Sequence, residues 1–123
     1  MKIRIRANTL RLRLTQSEVQ QLAGHGRVEE VTPFGESQSL RYALCTKASG
    51  AISASFAGGL IEVQVPAAQA QTWAEDDTQV GMQEEMPSGE STLSILIEKD
   101  FACLQARPNE EDKDTFPNPL AQK

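Results

Sequence analysis

Lys2-Ile3-Arg4-Ile5-Arg6-Ala7-Asn8-Thr9-Leu10-Arg11-Leu12-Arg13-Leu14 alternates cation and aliphatic on both sides of a short polar interruption. Successive side chains of a strand point to opposite faces, so period two predicts two half-buried strands with Asn8 in the turn between them. Thr15-Gln16-Ser17-Glu18 then supplies a capping box. The Thr15 hydroxyl can accept from the backbone at the third helical position while Glu18 reaches back. Val19, Leu22 and Ala23 form a short apolar stripe, and Gly24-His25-Gly26 predicts the helix end. Strand-like residues resume over Arg27–Val31, and Pro33-Phe34-Gly35 predicts a turn. Beyond it Leu40, Tyr42 and Leu44 alternate with Arg41, Ala43 and Cys45.

The second half repeats this order. Ile52, Ala54 and Phe56 alternate with Ser53 and Ser55, Gly58-Gly59 turns the chain, and Ile61, Val63 and Val65 alternate with Glu62 and Gln64. Pro66 is expected at the first helical position, where its missing N–H is harmless. Ala70, Trp73 and Ala74 give the buried stripe of the second helix. Glu75-Asp76-Asp77 suits a helix C-terminus badly and reads as loop. Val80–Met86 and Thr92–Glu98 read as the last strands. PxGES occurs at Pro33–Ser37 and again at Pro87–Ser91. Leu10, Leu12 and Leu14 match Ile61, Val63 and Val65, and Leu22 matches Trp73. The expected fold is therefore α+β and mainly antiparallel β: tandem ββαββ repeats over residues 2–46 and 51–98, with about eight strands and two short helices forming a barrel or sandwich. Residues 1–104 are expected to be a single domain. Residues 105–123 carry prolines and acidic side chains, and Phe116 and Leu120 are expected to anchor that tail in part.

Composition narrows the function. With 123 residues and a net charge of −5, the chain suits one domain and is a poor match to nucleic acid or an anionic membrane. No secretory signal and no apolar run of about 18 residues is present, so the expected location is cytoplasmic. Two cysteines, Cys45 and Cys103, are expected to be reduced core thiols. His25 is the single histidine and reads as a surface turn residue, which leaves no material for a histidine triad or a structural zinc site. No phosphate-binding loop, dinucleotide fingerprint or nucleophile elbow occurs, and no cofactor is expected.

Two resemblances bear on the fold. The opening KIRIRANTLRLRLTQSEV, the central IEVQVPAAQAQTWA, and the closing IEKDFACL followed by DTFPNP resemble a family of small uncharacterised bacterial proteins, over nearly the whole chain. That likeness implies a shared fold and, since the family has no assigned activity, no catalytic or binding residue. The doubled β-rich architecture is also similar to the barrel of the CYTH-like triphosphate tunnel enzymes. Such a barrel implies a channel lined by Arg and Lys for phosphates and by Glu for a metal. The first strand here reads KIRIR where those enzymes carry ExExK.

The main candidate site is a set of cations. Lys2, Arg4, Arg6, Arg11 and Arg13 all precede the first acidic residue, Glu18. On paired strands such side chains lie roughly 5 Å apart and repel unless an anion lies between them. Arg4, Arg6, Arg11, Arg13 and Arg41 are the candidate anion site, with guanidinium forks suited to a phosphate or nucleotide. The plainer account pairs them with Glu29, Glu30, Glu62, Glu84 and Glu85 on a solvated face. Glu98-Lys99-Asp100 is expected to be a charged strand end facing solvent. The favoured function is a non-enzymatic binding or interaction domain, with a homodimer through a strand edge as one form. The second reading is a metal-dependent phosphohydrolase, or a phosphate or nucleotide binder, built on an Arg-lined barrel.

Overall fold

The computed structural model describes residues 1–101 and 116. The chain runs β1 (Lys2–Arg6), β2 (Thr9–Leu14), α1 (Gln16–His25), β3 (Arg27–Phe34), β4 (Gln38–Lys47), β5 (Ser53–Ala57), β6 (Leu60–Pro66), α2 (Ala67–Glu75), β7 (Gly81–Ser88) and β8 (Ser91–Lys99). The α+β class, eight strands and two helices follow the reading of the sequence. The sheets do not close into a barrel. The strands form two four-stranded sheets, ordered β1-β2-β8-β7 and β3-β4-β6-β5.

Pairing is mainly antiparallel, as expected, but each sheet is mixed. Each hairpin is antiparallel, but β2 pairs β8 in parallel and β4 pairs β6 in parallel. The reason lies in the helices. α1 carries the chain from β2 in one sheet to β3 in the other, and α2 carries it from β6 to β7. The hairpins β1–β2 and β7–β8, at opposite ends of the chain, are thereby brought into one sheet, while the consecutive hairpins β3–β4 and β5–β6 share the other. In each sheet the two inner strands pair in parallel.

One buried cluster unites the layers. Leu10, Leu12, Leu14, Ile95, Ile97 and Met82 come from the first sheet, and Val28, Leu44, Val63 and Val65 from the second. Val19, Leu22, Ala70 and Trp73 come from the helices. The register aligns these side chains in rows. Leu12 opposes Ile97, which opposes Met82, and Leu44 opposes both Val28 and Val63. Tyr42 and Ile61, in phase with the buried Leu44 and Val63 of their strands, are half-buried at the margin of this cluster.

Local chemistry sets the helix ends. The Thr15 hydroxyl accepts from the Glu18 N–H at 3.4 Å, and a Glu18 oxygen accepts from the Thr15 N–H at 2.9 Å, completing the capping box. Gly26 closes α1 with φ 80°, and its N–H donates to the Leu22 carbonyl. A Cβ there would come within 3.0 Å of Thr46 Oγ1, so the position takes glycine on two counts. Pro66 stands at the N-cap of α2 rather than inside the helix. It still pairs with Lys47 at the end of β6, which holds its ψ at 135°. The expected turn at Pro33-Phe34-Gly35 is likewise shorter, because β3 continues through Phe34 opposite Gln38. Pro33 and Pro87 both lie on outer strands, where the lost donor faces away from the ladder.

The sheet margins approach one another without merging. At one corner the Ala54 N–H of β5 donates to Met86 Sδ of β7 at 3.4 Å. At the other, the Tyr42 hydroxyl donates to the Met1 carbonyl at 2.8 Å. The Met1 ammonium also bonds Glu18 and Glu30.

Trp73 is fully buried and is the largest side chain of the cluster, and its indole N–H donates to the Val80 carbonyl at 3.2 Å. Truncating Trp73→Ala should lower the unfolding free energy by about 3–5 kcal/mol. In urea titration the midpoint should fall while the slope stays unchanged.

Candidate functional site

The alternation of β1 and β2 places their aliphatic residues on the inner face of the first sheet and their cations on its outer face. On the inner face Leu10, Leu12 and Leu14 are buried, but Ile5 of the outer strand is exposed. Antiparallel pairing then sets Arg4 directly opposite Arg11, Lys2 opposite Arg13, and Arg6 opposite Thr9. Arg4, Arg6 and Arg13 are exposed and Arg11 is half-buried. Four of the five candidate arginines therefore share one surface. Arg41 does not. It lies on β4 in the other sheet, opposite Val31, with its nearest acidic partner Glu29 at 3.9 Å.

Compensation of this charge is uneven. Glu98, on β8, sits opposite Arg13 in the parallel ladder and lies 3.2 Å from Arg11 Nε and 3.8 Å from Arg13 Nε. Arg11 Nε is nonetheless buried without a well-directed hydrogen bond. Lys2 reaches Asp100 at 3.1 Å. Among the described residues Arg4 and Arg6 have no ion pair. Gly81 opposes Glu98 on the other side of β8, and a Cβ there would lie 2.9 Å from the Ile97 carbonyl oxygen and 3.1 Å from Glu98 Cγ. The glycine leaves the space that the Glu98 side chain occupies.

Two grooves flank the Arg4–Arg11 pair. One, of about 410 Å³, is lined by Arg4, Arg6, Ala7, Thr9 and Arg11, and the other, of about 320 Å³, by Lys2, Ile3, Arg4, Arg11 and Arg13. Ala7 has φ 49° and is the only non-glycine at positive φ among the described residues. Both grooves are surface features of an open sheet. The enclosed channel that an Arg-lined barrel requires is not formed.

The outer face of the second sheet handles charge differently. Arg27 bonds Glu29 at 2.5 Å and Glu62 at 3.1 Å, spanning β4 between its two neighbours. Ala43, paired with both Glu29 and Glu62, is buried beneath that bridge. These hydrogen bonds push the Arg27 guanidinium above its ordinary range. Cys45 is half-buried rather than in the core, and burial together with Glu62 pushes its thiol up, so it lacks the character of a reactive thiolate. Cys103 and Leu120 lie outside the described residues. His25 ends α1 beside its cap, exposed.

A second constellation was not legible as a site. Lys99 and Asp100, expected to face solvent, are only 4% and 7% exposed. Alternation turns Lys99 inward, opposite Leu14, and the strand end is covered because the Phe116 N–H donates to the Asp100 carbonyl at 2.7 Å. Lys99 Nζ stands 5.7 Å from the Trp73 ring and 5.5 Å from the Phe116 ring, and donates to the Asp76 carbonyl at 2.8 Å. That bond explains how α2 tolerates Glu75-Asp76-Asp77 at its C-terminus, since a buried cation meets the last carbonyls. Beside Lys99 is a cavity of about 670 Å³ between α1, α2, the end of β8 and Phe116. Burial holds the Lys99 ammonium below the ordinary lysine range, opposed in part by Asp77 and Asp76. Hydrogen bonds from the Thr78 side chain and backbone lower Asp76.

The comparisons with known proteins agree with the expected resemblance to an uncharacterised family. The model described as a family of unknown function (DUF7009) matches residues 1–120. No curated protein and no solved structure matches the chain. Among the described residues no helix is long and apolar enough to cross a membrane.

The depressed Lys99 fixes the sign of one pH effect. Between its folded value and the unfolded value near 10.5, the unfolded chain binds more protons, so stability rises with pH across that interval. Below the folded value the burial penalty is complete. The unfolding free energy of the native protein minus that of Lys99→Met should therefore rise as pH climbs towards 10.5. Urea titrations at matched pH values measure it, and a constant difference would remove the linkage.

Proposed function

The chain therefore belongs to a family whose function is unknown, and we propose from its own chemistry that it is a binding domain whose outer β1–β2 face recognises an anion. The observation that carries this reading is the direct opposition of Arg4 and Arg11, with Lys2, Arg13 and Arg6 in the flanking rows. Like charges facing each other across a strand pair destabilise the pair. A phosphate or carboxylate between them removes the repulsion and accepts from guanidinium forks. Glu98 offers one carboxylate to Arg11 and Arg13 and leaves Arg4 and Arg6 for an external partner. The chain is otherwise acidic, with a net charge of −5, so this patch is a local exception that draws small anions to one face. Arg41, on the other sheet, plays no part in it.

The reading includes a single domain built from two doubled units, over residues 2–46 and 51–98. Matching registers support it. Leu10 opposes Ile95 in the first sheet as Ile61 opposes Tyr42 in the second, and Leu12–Ile97 corresponds to Val63–Leu44. Each sheet then joins one hairpin of each unit.

Thermal unfolding with tripolyphosphate, ATP and ATP plus Mg²⁺ tests the anion face. A ligand at about 100 times its dissociation constant adds about 2.7 kcal/mol. The native protein should be stabilised by at least one of these anions, and the double variant Arg4→Glu/Arg6→Glu should lose that gain. A flat response of the native protein, or equal stabilisation of the variant, discards the proposal.

A further inference from the structure

The cavity beside Lys99 has the composition of a ligand site rather than of a packing fault. At about 670 Å³ it falls in the range of small-molecule pockets, and apolar Val19, Ala74, Val80, Phe101 and Phe116 supply much of its wall. Lys99 also lines it, and that residue is 4% exposed. An ammonium has three N–H donors, yet among the described residues Lys99 makes one hydrogen bond, to the Asp76 carbonyl. No carboxylate lies within ion-pair distance of it among those residues. Buried polar groups are normally hydrogen-bonded, and buried charges are normally paired. Among the described residues this buried cation keeps two donors without a hydrogen-bond partner. It stands on the wall of a cavity lined about equally by apolar and polar side chains, and that combination suits an anion with an apolar body.

We propose that this cavity binds a small monocarboxylate with an apolar body, its carboxylate accepting from Lys99 and its hydrocarbon part covering Phe101, Phe116 and Val19. The charge balance selects that class. Asp77 lines the same cavity, so a doubly charged phosphate would be repelled more strongly than a single carboxylate directed at Lys99. The walls offer apolar contact that phosphate cannot use, and an aromatic or short alkyl chain can. The Trp73 and Phe116 rings lie 5.7 and 5.5 Å from the ammonium and favour its charge without using its donors. Nothing here depends on the arginine face, which lies on the other side of the first sheet.

Phenylacetate and hexanoate are the probes, with phenylacetamide and hexanol as neutral controls of similar shape. Calorimetric titration of the native protein at pH 7 should show both carboxylates binding, and the neutral compounds at least tenfold more weakly. Lys99→Met should weaken carboxylate binding at least tenfold, whereas Arg4→Glu/Arg6→Glu should leave it unchanged. No heat with either carboxylate, equal affinity for the neutral controls, or full retention by Lys99→Met would overturn the proposal. Because Lys99→Met could perturb the end of α2, the native protein supplies an independent readout. The ¹³Cε resonance of Lys99 should titrate at higher pH with phenylacetate bound, since a carboxylate stabilises the ammonium. Binding heat with an unmoved titration would place the ligand elsewhere and sink the assignment.

Discussion

Both sheets are held at their centres by a parallel ladder between strands that no hairpin turn connects, β2 with β8 and β4 with β6. These ladders carry the fully buried rows, Leu12 with Ile97 and Val63 with Leu44. An antiparallel hairpin alone is marginal in water, and each of the four hairpins here exposes one edge until a second hairpin docks against it. The helices make that docking possible. Each moves the chain from one sheet to the other, and their apolar stripes, Val19 and Leu22 in α1 and Ala70 and Trp73 in α2, enter the same buried cluster. Core, sheet pairing and helix packing are thus one cooperative arrangement.

The same alternation that fills the core also dictates the surface. With Leu10, Leu12 and Leu14 inside, Arg11 and Arg13 have to face out, and β1 adds Lys2, Arg4 and Arg6 to that surface. The second sheet meets the same demand with an internal bridge from Arg27 to Glu29 and Glu62 over Ala43. The first sheet has Glu98 and Asp100 for its five cations. That difference between two faces of similar construction is what sets the β1–β2 surface apart.

Local sequence signals were legible wherever one segment carried the whole instruction. Period two placed the strands, Thr15 and Glu18 marked the start of α1, and Trp73 read as the anchor of α2. Partner choice between hairpins was not legible, because no turn connects β2 to β8 or β4 to β6. The parallel ladders, the open margins and the separation of Arg41 from the other arginines all follow from that choice. Pro66 fell at the N-cap because its strand pairing extends one residue further than its helical preference suggests. The burial of Lys99 was hidden for a related reason. A lysine at a strand end ordinarily reaches water, and only the approach of Trp73 and Asp76 at the end of α2, and of Phe116, encloses it.

The interlocking of the sheets has a consequence for synthesis. A ribosome releases β2 long before its central partner, because β8 is the last of the described strands to emerge, whereas β4 waits only for the β5–β6 hairpin. During that interval β2 presents a bare hydrogen-bonding edge, the condition that invites intermolecular association. Arg11 and Arg13 of β2 flank that edge, where charge discourages such contacts. The nascent chain thus carries its own protection while it waits for its closing strand.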